Sequence, residues 1–240
     1  VQKPIFGADP EVDMAFSLSF LKIKSVPILF WSAKKTQSLR PPLVSLVFLV
    51  LGLTIFGLGE ALLITAAVGV SPWTVFAQGL ANVTGIDIGL ATFILSISVL
   101  LCWIPLRQRP GVGTLANAVI IALVLGFALP YLPHFDHLAL QLLQSILGVI
   151  ITGFGGGIYL IANLGPGPRD GLMTGLQRVT GRPMALVRTS LEVMVIAIGW
   201  SLGGTVGIGT LFFALGIGPS VAASLFGLQK LCTSRKAEPI

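Results

Sequence analysis

Gly69 to Gly85, GVSPWTVFAQGLANVTG, occurs again without gaps ninety-six residues later as Gly165 to Gly181, GPGPRDGLMTGLQRVTG. At the same offset Gly52 pairs with Gly148, Gly57 with Gly153, Gly59 with Gly155, Ala66 with Ala162, Leu90 with Leu186 and Leu95 with Leu191. The register closes on GVGTL, Gly111 to Leu115, against GIGTL, Gly207 to Leu211. A match held over so long a span marks a duplicated unit rather than shared composition.

Each unit contains three apolar runs, approximately Leu43 to Ala67, Ile88 to Leu106 and Gly111 to Leu132 in the first, and Leu138 to Leu164, Met184 to Leu202 and Ile208 to Leu228 in the second. Each run meets the roughly 20-residue requirement of a spanning helix. Only 10% of the residues are charged and 54% are hydrophobic, whereas a soluble domain carries about 25% charged residues. The surroundings are therefore a lipid bilayer. The runs lack two-residue alternation, which leaves a helical bundle as the class. The net charge of +6 does not point to nucleic acid, because the basic residues stand singly between apolar runs, as membrane flanks do.

Those flanks orient the chain. Lys34, Lys35 and Arg40 precede the first run, Arg107 and Arg109 follow the second, Arg169, Arg178, Arg182 and Arg188 follow the fourth, and Lys230, Arg235 and Lys236 follow the sixth. The other three connections carry no lysine or arginine. Positive-inside places every basic cluster and both termini in the cytoplasm. Three spans per unit is an odd number, so the second unit enters the membrane upside down. The expected fold is an all-α membrane protein of six transmembrane helices in two inverted three-helix repeats, each with an extra short helix. Residues 41–134 form the first repeat and 135–230 the second. Residues 1–40 are an N-terminal extension and 231–240 a cytoplasmic tail. Within the extension, Phe16 to Trp31 is interrupted by Lys22, Lys24 and Pro27, and is expected to lie on the surface. Cys102 and Cys232 offer no disulfide framework.

Ser71-Pro72 and Gly167-Pro168 read as helix starts, with a favoured cap followed by proline at the first helical position. In the short helix that follows the first, Thr74, Gln78 and Asn82 form a polar stripe; the matched stripe is Asp170, Thr174 and Arg178. Two arrangements fit. One is an amphipathic helix at each interface with Trp73, Phe76 and Leu80 in lipid. The other is a pair of re-entrant half-helices lining a central cavity.

Glu60 and Glu192 are acids well inside predicted spans, where charge is expensive and therefore suggests function. Glu192 has Arg188 one turn earlier, at positions matched by Ser96 and Thr92. An i, i+4 ion pair and a Glu60 bonded to a neighbouring helix is the structural alternative to proton coupling or cation binding. Asn117, Tyr159 and Asn163 add hydrogen-bonding capacity. The glycines of GLGE (Gly57 to Glu60) and GFGGG (Gly153 to Gly157) are expected to let two helices cross closely. His134, Asp136 and His137 are too few to make a metal site. No cofactor is expected, and no hydrolase or metallopeptidase motif suggests an enzyme.

A glycine-rich first helix, then Gly69-x-Ser71-Pro72-Trp73, a short helix ending in Thr84-Gly85, an apolar span and Gly111-x-Gly113-Thr114-Leu115 occur here in order and within a repeat. From about Leu43 to Leu228 this resembles the YczE-like family of bacterial membrane proteins, within the wider YczE/YyaS/YitT group. The resemblance implies a small polytopic protein of the bacterial cytoplasmic (inner) membrane. Members tend to have an acid just after the tryptophan, where this chain has Thr74; the second copy keeps Asp170.

The expected function is small-molecule transport or export, with the site between the repeats. Its expected substrate contacts are Glu60, Trp73, Thr74, Gln78, Asn163, Asp170, Thr174, Arg188 and Glu192. The alternative is a non-transporting scaffold or regulator that recruits a cytoplasmic partner through its basic loop and N-terminal extension. The lipid bilayer is the one partner common to both readings, and the glycine content is compatible with a homodimer.

Overall fold

The computed structural model describes residues 26–34, 36 and 40–234. They form eight α-helices: α1 Leu43–Ala66, α2 Pro72–Thr84, α3 Ile88–Cys102, α4 Val112–Ala128, α5 Leu138–Ile161, α6 Pro168–Thr180, α7 Met184–Ser201 and α8 Ile208–Ser234. Among the described residues there is no strand. Five helical segments are long and apolar enough to cross a membrane, six if α2 and α3, joined at a bend of 115°, count as one. Large apolar side chains such as Phe127, Trp200 and Leu215 are exposed on the outside, as lipid-facing residues are.

The second apolar run is shorter as a helix than expected. α3 stops at Cys102 after 15 residues, about 22 Å against a hydrocarbon core of about 30 Å. Turns follow from Trp103 to Arg107, where Pro105 lacks the N–H that a continuing helix needs.

Matched residues adopt matched backbones. Ala67 and Asn163 both have positive φ, 57° and 55°; Gly69 and Gly165 have φ 115° and 118°. α2 and α6 both start on proline and both end on a left-handed glycine, Gly85 and Gly181. Bonds between distant residues recur as well. Gly113 N–H donates to Leu164 O at 2.8 Å, and the matched Gly209 N–H donates to Val68 O at 2.8 Å. Asn82 Nδ2 donates to Gly203 O, and Arg178, the residue matched to Asn82, donates through Nη2 to Leu106 O. Each short helix is thus tied to the other half, α2 to the connection after α7 and α6 to the connection after α3.

The centre of the fold is the crossing of α1 and α5, made by Gly52, Gly59, Gly148 and Gly155; of the other glycines expected there, Gly57 packs on Val124 of α4, and Gly153 and Gly157 on Ser220 and Ser224 of α8. A Cβ on Gly52 would stand 2.6 Å from Tyr159 N, and one on Gly59 2.5 Å from Thr152 N. Backbone meets backbone there, as small-residue interfaces in membranes allow. Thr65 and Gln144 add a hydrogen bond of 2.6 Å across the same pair.

Of the stretch expected to lie on the surface, Val26, Ile28 and Phe30 are exposed, whereas Trp31 at its end is buried. Trp31 is 2% exposed and stacks on Phe48 of α1 with centroids 4.4 Å apart. Ala33 N–H and Ser32 Oγ donate to Ala162 O and Ile161 O, covering two carbonyls that α5 leaves open at its C-terminus. Residues 1–25, including most of the stretch from Phe16, lie outside the described residues.

Candidate functional site

The start of α2 is buried in the protein, and Trp73 is covered rather than left on the outside. This start is bonded to Glu60, six residues before the end of α1 and so about 9 Å back along that helix. Trp73 is 8% exposed and Thr74 2%. The connection from Ala67 to Ser71 therefore folds back beside α1, and α2 leads outward again from inside the protein.

At that start Glu60 Oε2 accepts from Ser71 Oγ at 2.8 Å and from Thr74 Oγ1 at 2.6 Å, and the two hydroxyls are 2.8 Å apart. Ser71, the N-cap residue, thus spends its hydroxyl on Glu60 rather than on its own helix. A carboxylate beside a helix N-terminus is favourably placed in the helix dipole. Glu60 Oε1 is buried and has no hydrogen-bond partner. Thr74, matched to Asp170 in the second copy, is therefore given an acid by α1.

In the second half the parts are redistributed. Asp170, matched to Thr74, accepts from the Tyr159 hydroxyl of α5 at 3.2 Å, and the position matched to Glu60 is Gly156. Acid on the long helix and hydroxyl on the short one become hydroxyl on the long helix and acid on the short one.

Trp73 and Arg169, also matched, meet face to face: the Arg169 guanidinium carbon lies 5.5 Å from the indole centroid, in cation–π range. The starts of α2 and α6 touch here. Arg169 is within electrostatic reach of both Glu60 and Asp170. A cavity of about 280 Å³ opens from this contact. Its polar wall is Trp73, Asn117, Tyr159, Arg169, Asp170, Arg188 and Glu192, and its apolar wall comes from α1, α4, α5 and α8, including Phe56, Ile121, Phe213 and Val221. Arg188 and Glu192 form the i, i+4 ion pair read from the sequence, at 2.8 Å. The cavity runs between α7 and α8, which barely touch, whereas the matched α3 and α4 pack together.

Of the expected site residues, Trp73, Asp170, Arg188 and Glu192 line this cavity, and Glu60 with Thr74 stands directly behind its end wall. The other three are elsewhere. Gln78 Oε1 accepts from Thr205 N–H. Asn163, at the left-handed turn after α5, bonds Ala33 O and Thr36. Thr174 bonds the carbonyl of Gly171 in its own helix. Gln78 and Asn82 of the α2 stripe consequently anchor a connection and do not line the cavity. Arg169 is the main addition. Its signal was present in the register, since it is the residue that replaces Trp73 in the second copy.

Residues 43–225 match the model of DUF6198, a family of unknown function. An uncharacterized protein of Haemophilus influenzae is 39% identical over 200 residues, 83% of this chain and 91% of that protein. The uncharacterized membrane protein YczE of Bacillus subtilis is 32% identical over 166 residues, 68% of this chain and 77% of that protein. No solved structure matches the chain. Spanning helices, the repeated glycine-bounded helices and these relatives agree: the chain belongs to the DUF6198 family of YczE-like membrane proteins.

Proposed function

We propose that the protein is a small-molecule transporter or exporter of the bacterial cytoplasmic membrane, with both termini in the cytoplasm and its site between two inverted three-helix repeats. The observation that carries this reading is the cavity that ends on the Trp73–Arg169 contact, where the two halves meet. Two cations and two carboxylates on a largely apolar wall are costly among membrane helices unless water or a polar solute reaches them. Opposed half-helices with their N-termini at a central site are a construction found in inverted-repeat transporters. The recurrence of Gly113–Leu164 as Gly209–Val68 supports two equivalent halves. Arg169, Asp170, Arg188, Glu192 and Trp73 then contact the solute. Glu60 and Thr74 hold the end wall. The basic connections favour a cavity mouth on the cytoplasmic side.

This orientation is testable by thiol labelling in a background lacking Cys102 and Cys232. A Cβ at Gly218 meets nothing within 4 Å, and Gly218 lines the cavity. Gly218→Cys and Asn117→Cys should react with a membrane-impermeant reagent from the cytoplasmic face only. Leu215→Cys, on the exposed apolar surface, should react from neither. Labelling of Gly218→Cys and Asn117→Cys from the outer face alone, or from neither face, would contradict the reading.

A further inference from the structure

The large cavity has a shrunken counterpart. Trp73, Ala77, Thr92, Ser96, Val99 and Arg169 enclose a space of about 10 Å³ between α2 and α3. A shift of ninety-six residues carries Trp73 onto Arg169, Ala77 onto Met173, Thr92 onto Arg188 and Ser96 onto Glu192, and those four line the large cavity. The same crevice therefore occurs twice, once open and once shut, and both forms end on the Trp73–Arg169 contact.

The helices account for the difference. α3 lies against α4, with Gly89 so close that a Cβ would stand 2.5 Å from Ala122 O, while α7 stands away from α8. The shut crevice is also poorly satisfied. Thr92, 4% exposed, has its hydroxyl buried without a hydrogen-bond partner, and so does the Trp73 indole N–H. Buried polar groups in native proteins are normally paired, and two orphans on residues that line one small crevice suggest a site that takes up polar partners in another conformation.

We infer that the α2–α3 crevice is the second access route, leading to the outer face, and that it opens when α3 parts from α4 as α7 closes on α8. This rests on the transporter reading. The Trp73–Arg169 contact separates the two routes in this conformation and must part for the solute to pass from one to the other. On the outer route Thr92, Ser96 and the Trp73 indole N–H contact the polar solute that Arg188 and Glu192 contact on the inner route. Because Arg169 is the one charged residue that lines the outer crevice, the solute must be one that hydroxyl, indole and guanidinium groups can hold without a carboxylate.

The test is the modification rate of Thr92→Cys, and of the half-buried Ser96→Cys as a second variant, in the same cysteine-free background. The reagent is a membrane-impermeant methanethiosulfonate applied from each face. Modification from the outer face should be at least ten-fold faster than from the inner face. It should fall at least ten-fold when Gly218→Trp wedges the inner cavity open. Absence of modification at both positions, with Gly218→Cys still reactive from inside, overturns the second route and leaves the proposed function standing. Equal modification with and without Gly218→Trp overturns the exchange between crevices. If Gly218→Cys is also unreactive, the proposed function falls with it.

Discussion

Gly155→Leu should prevent the protein from assembling, with a loss of about 3 kcal/mol or more. A Cβ at this position would stand 2.6 Å from Gly52 O and 2.9 Å from Phe56 Cα. These are backbone atoms in the middle of α1, so no side-chain rotation relieves the overlap. The helices would have to separate, exposing Glu60, whose hydroxyl partners depend on the depth at which α2 starts. Gly227→Leu is the matching control, because a Cβ there meets nothing within 4 Å. Size-exclusion profiles in detergent should show aggregated or absent Gly155→Leu protein beside monodisperse Gly227→Leu. A monodisperse Gly155→Leu with unchanged thermal stability would show that α1 and α5 do not cross this closely.

Glu60→Ala should cost about 2 to 4 kcal/mol, combining lost hydrogen bonds to a charged group with an unfilled space. Ser71 and Thr74 lose their acceptor, although they remain 2.8 Å apart and can bond each other. Glu60→Gln should recover most of that loss, since its amide oxygen can still accept from both hydroxyls. Midpoints of thermal unfolding in one detergent separate the two variants. The end wall of the cavity depends on hydrogen-bond acceptance at residue 60 if only the alanine variant is destabilised. Equal stability of alanine, glutamine and wild type would mean that Glu60 does not hold the start of α2.

Much of this arrangement is legible in the chain because it rests on residues with few alternatives. Proline after serine or glycine sets the starts of α2 and α6, and glycine at φ 73° and 64° sets their ends. Glycines repeated through the register mark the α1–α5 crossing. Arg188 and Glu192 meet because four residues is one helical turn. Long-range partners were not legible. Gln78 and Asn82 look like a polar face waiting for water, yet they bond backbone groups of Thr205 and Gly203, which carry no side-chain signature. Trp73 looks like an interfacial tryptophan because sequence reveals an apolar face but not what covers it; its cover is Arg169 and α3. The docking of Ser32 and Ala33 is hidden for the same reason, since it is made to the carbonyl end of α5. Where recognition runs through side-chain type the chain announces it, and where it runs through backbone the fold is needed.

The transport claim itself is tested most directly by solute release. Vesicles containing purified protein are loaded with a bacterial small-molecule extract, and the released solutes are identified by mass spectrometry. The comparison is Gly156→Trp, whose side chain would project from α5 into the cavity. Wild-type vesicles should lose a defined set of polar solutes that Gly156→Trp vesicles retain. Identical release from wild-type, Gly156→Trp and protein-free vesicles would contradict transport through this cavity.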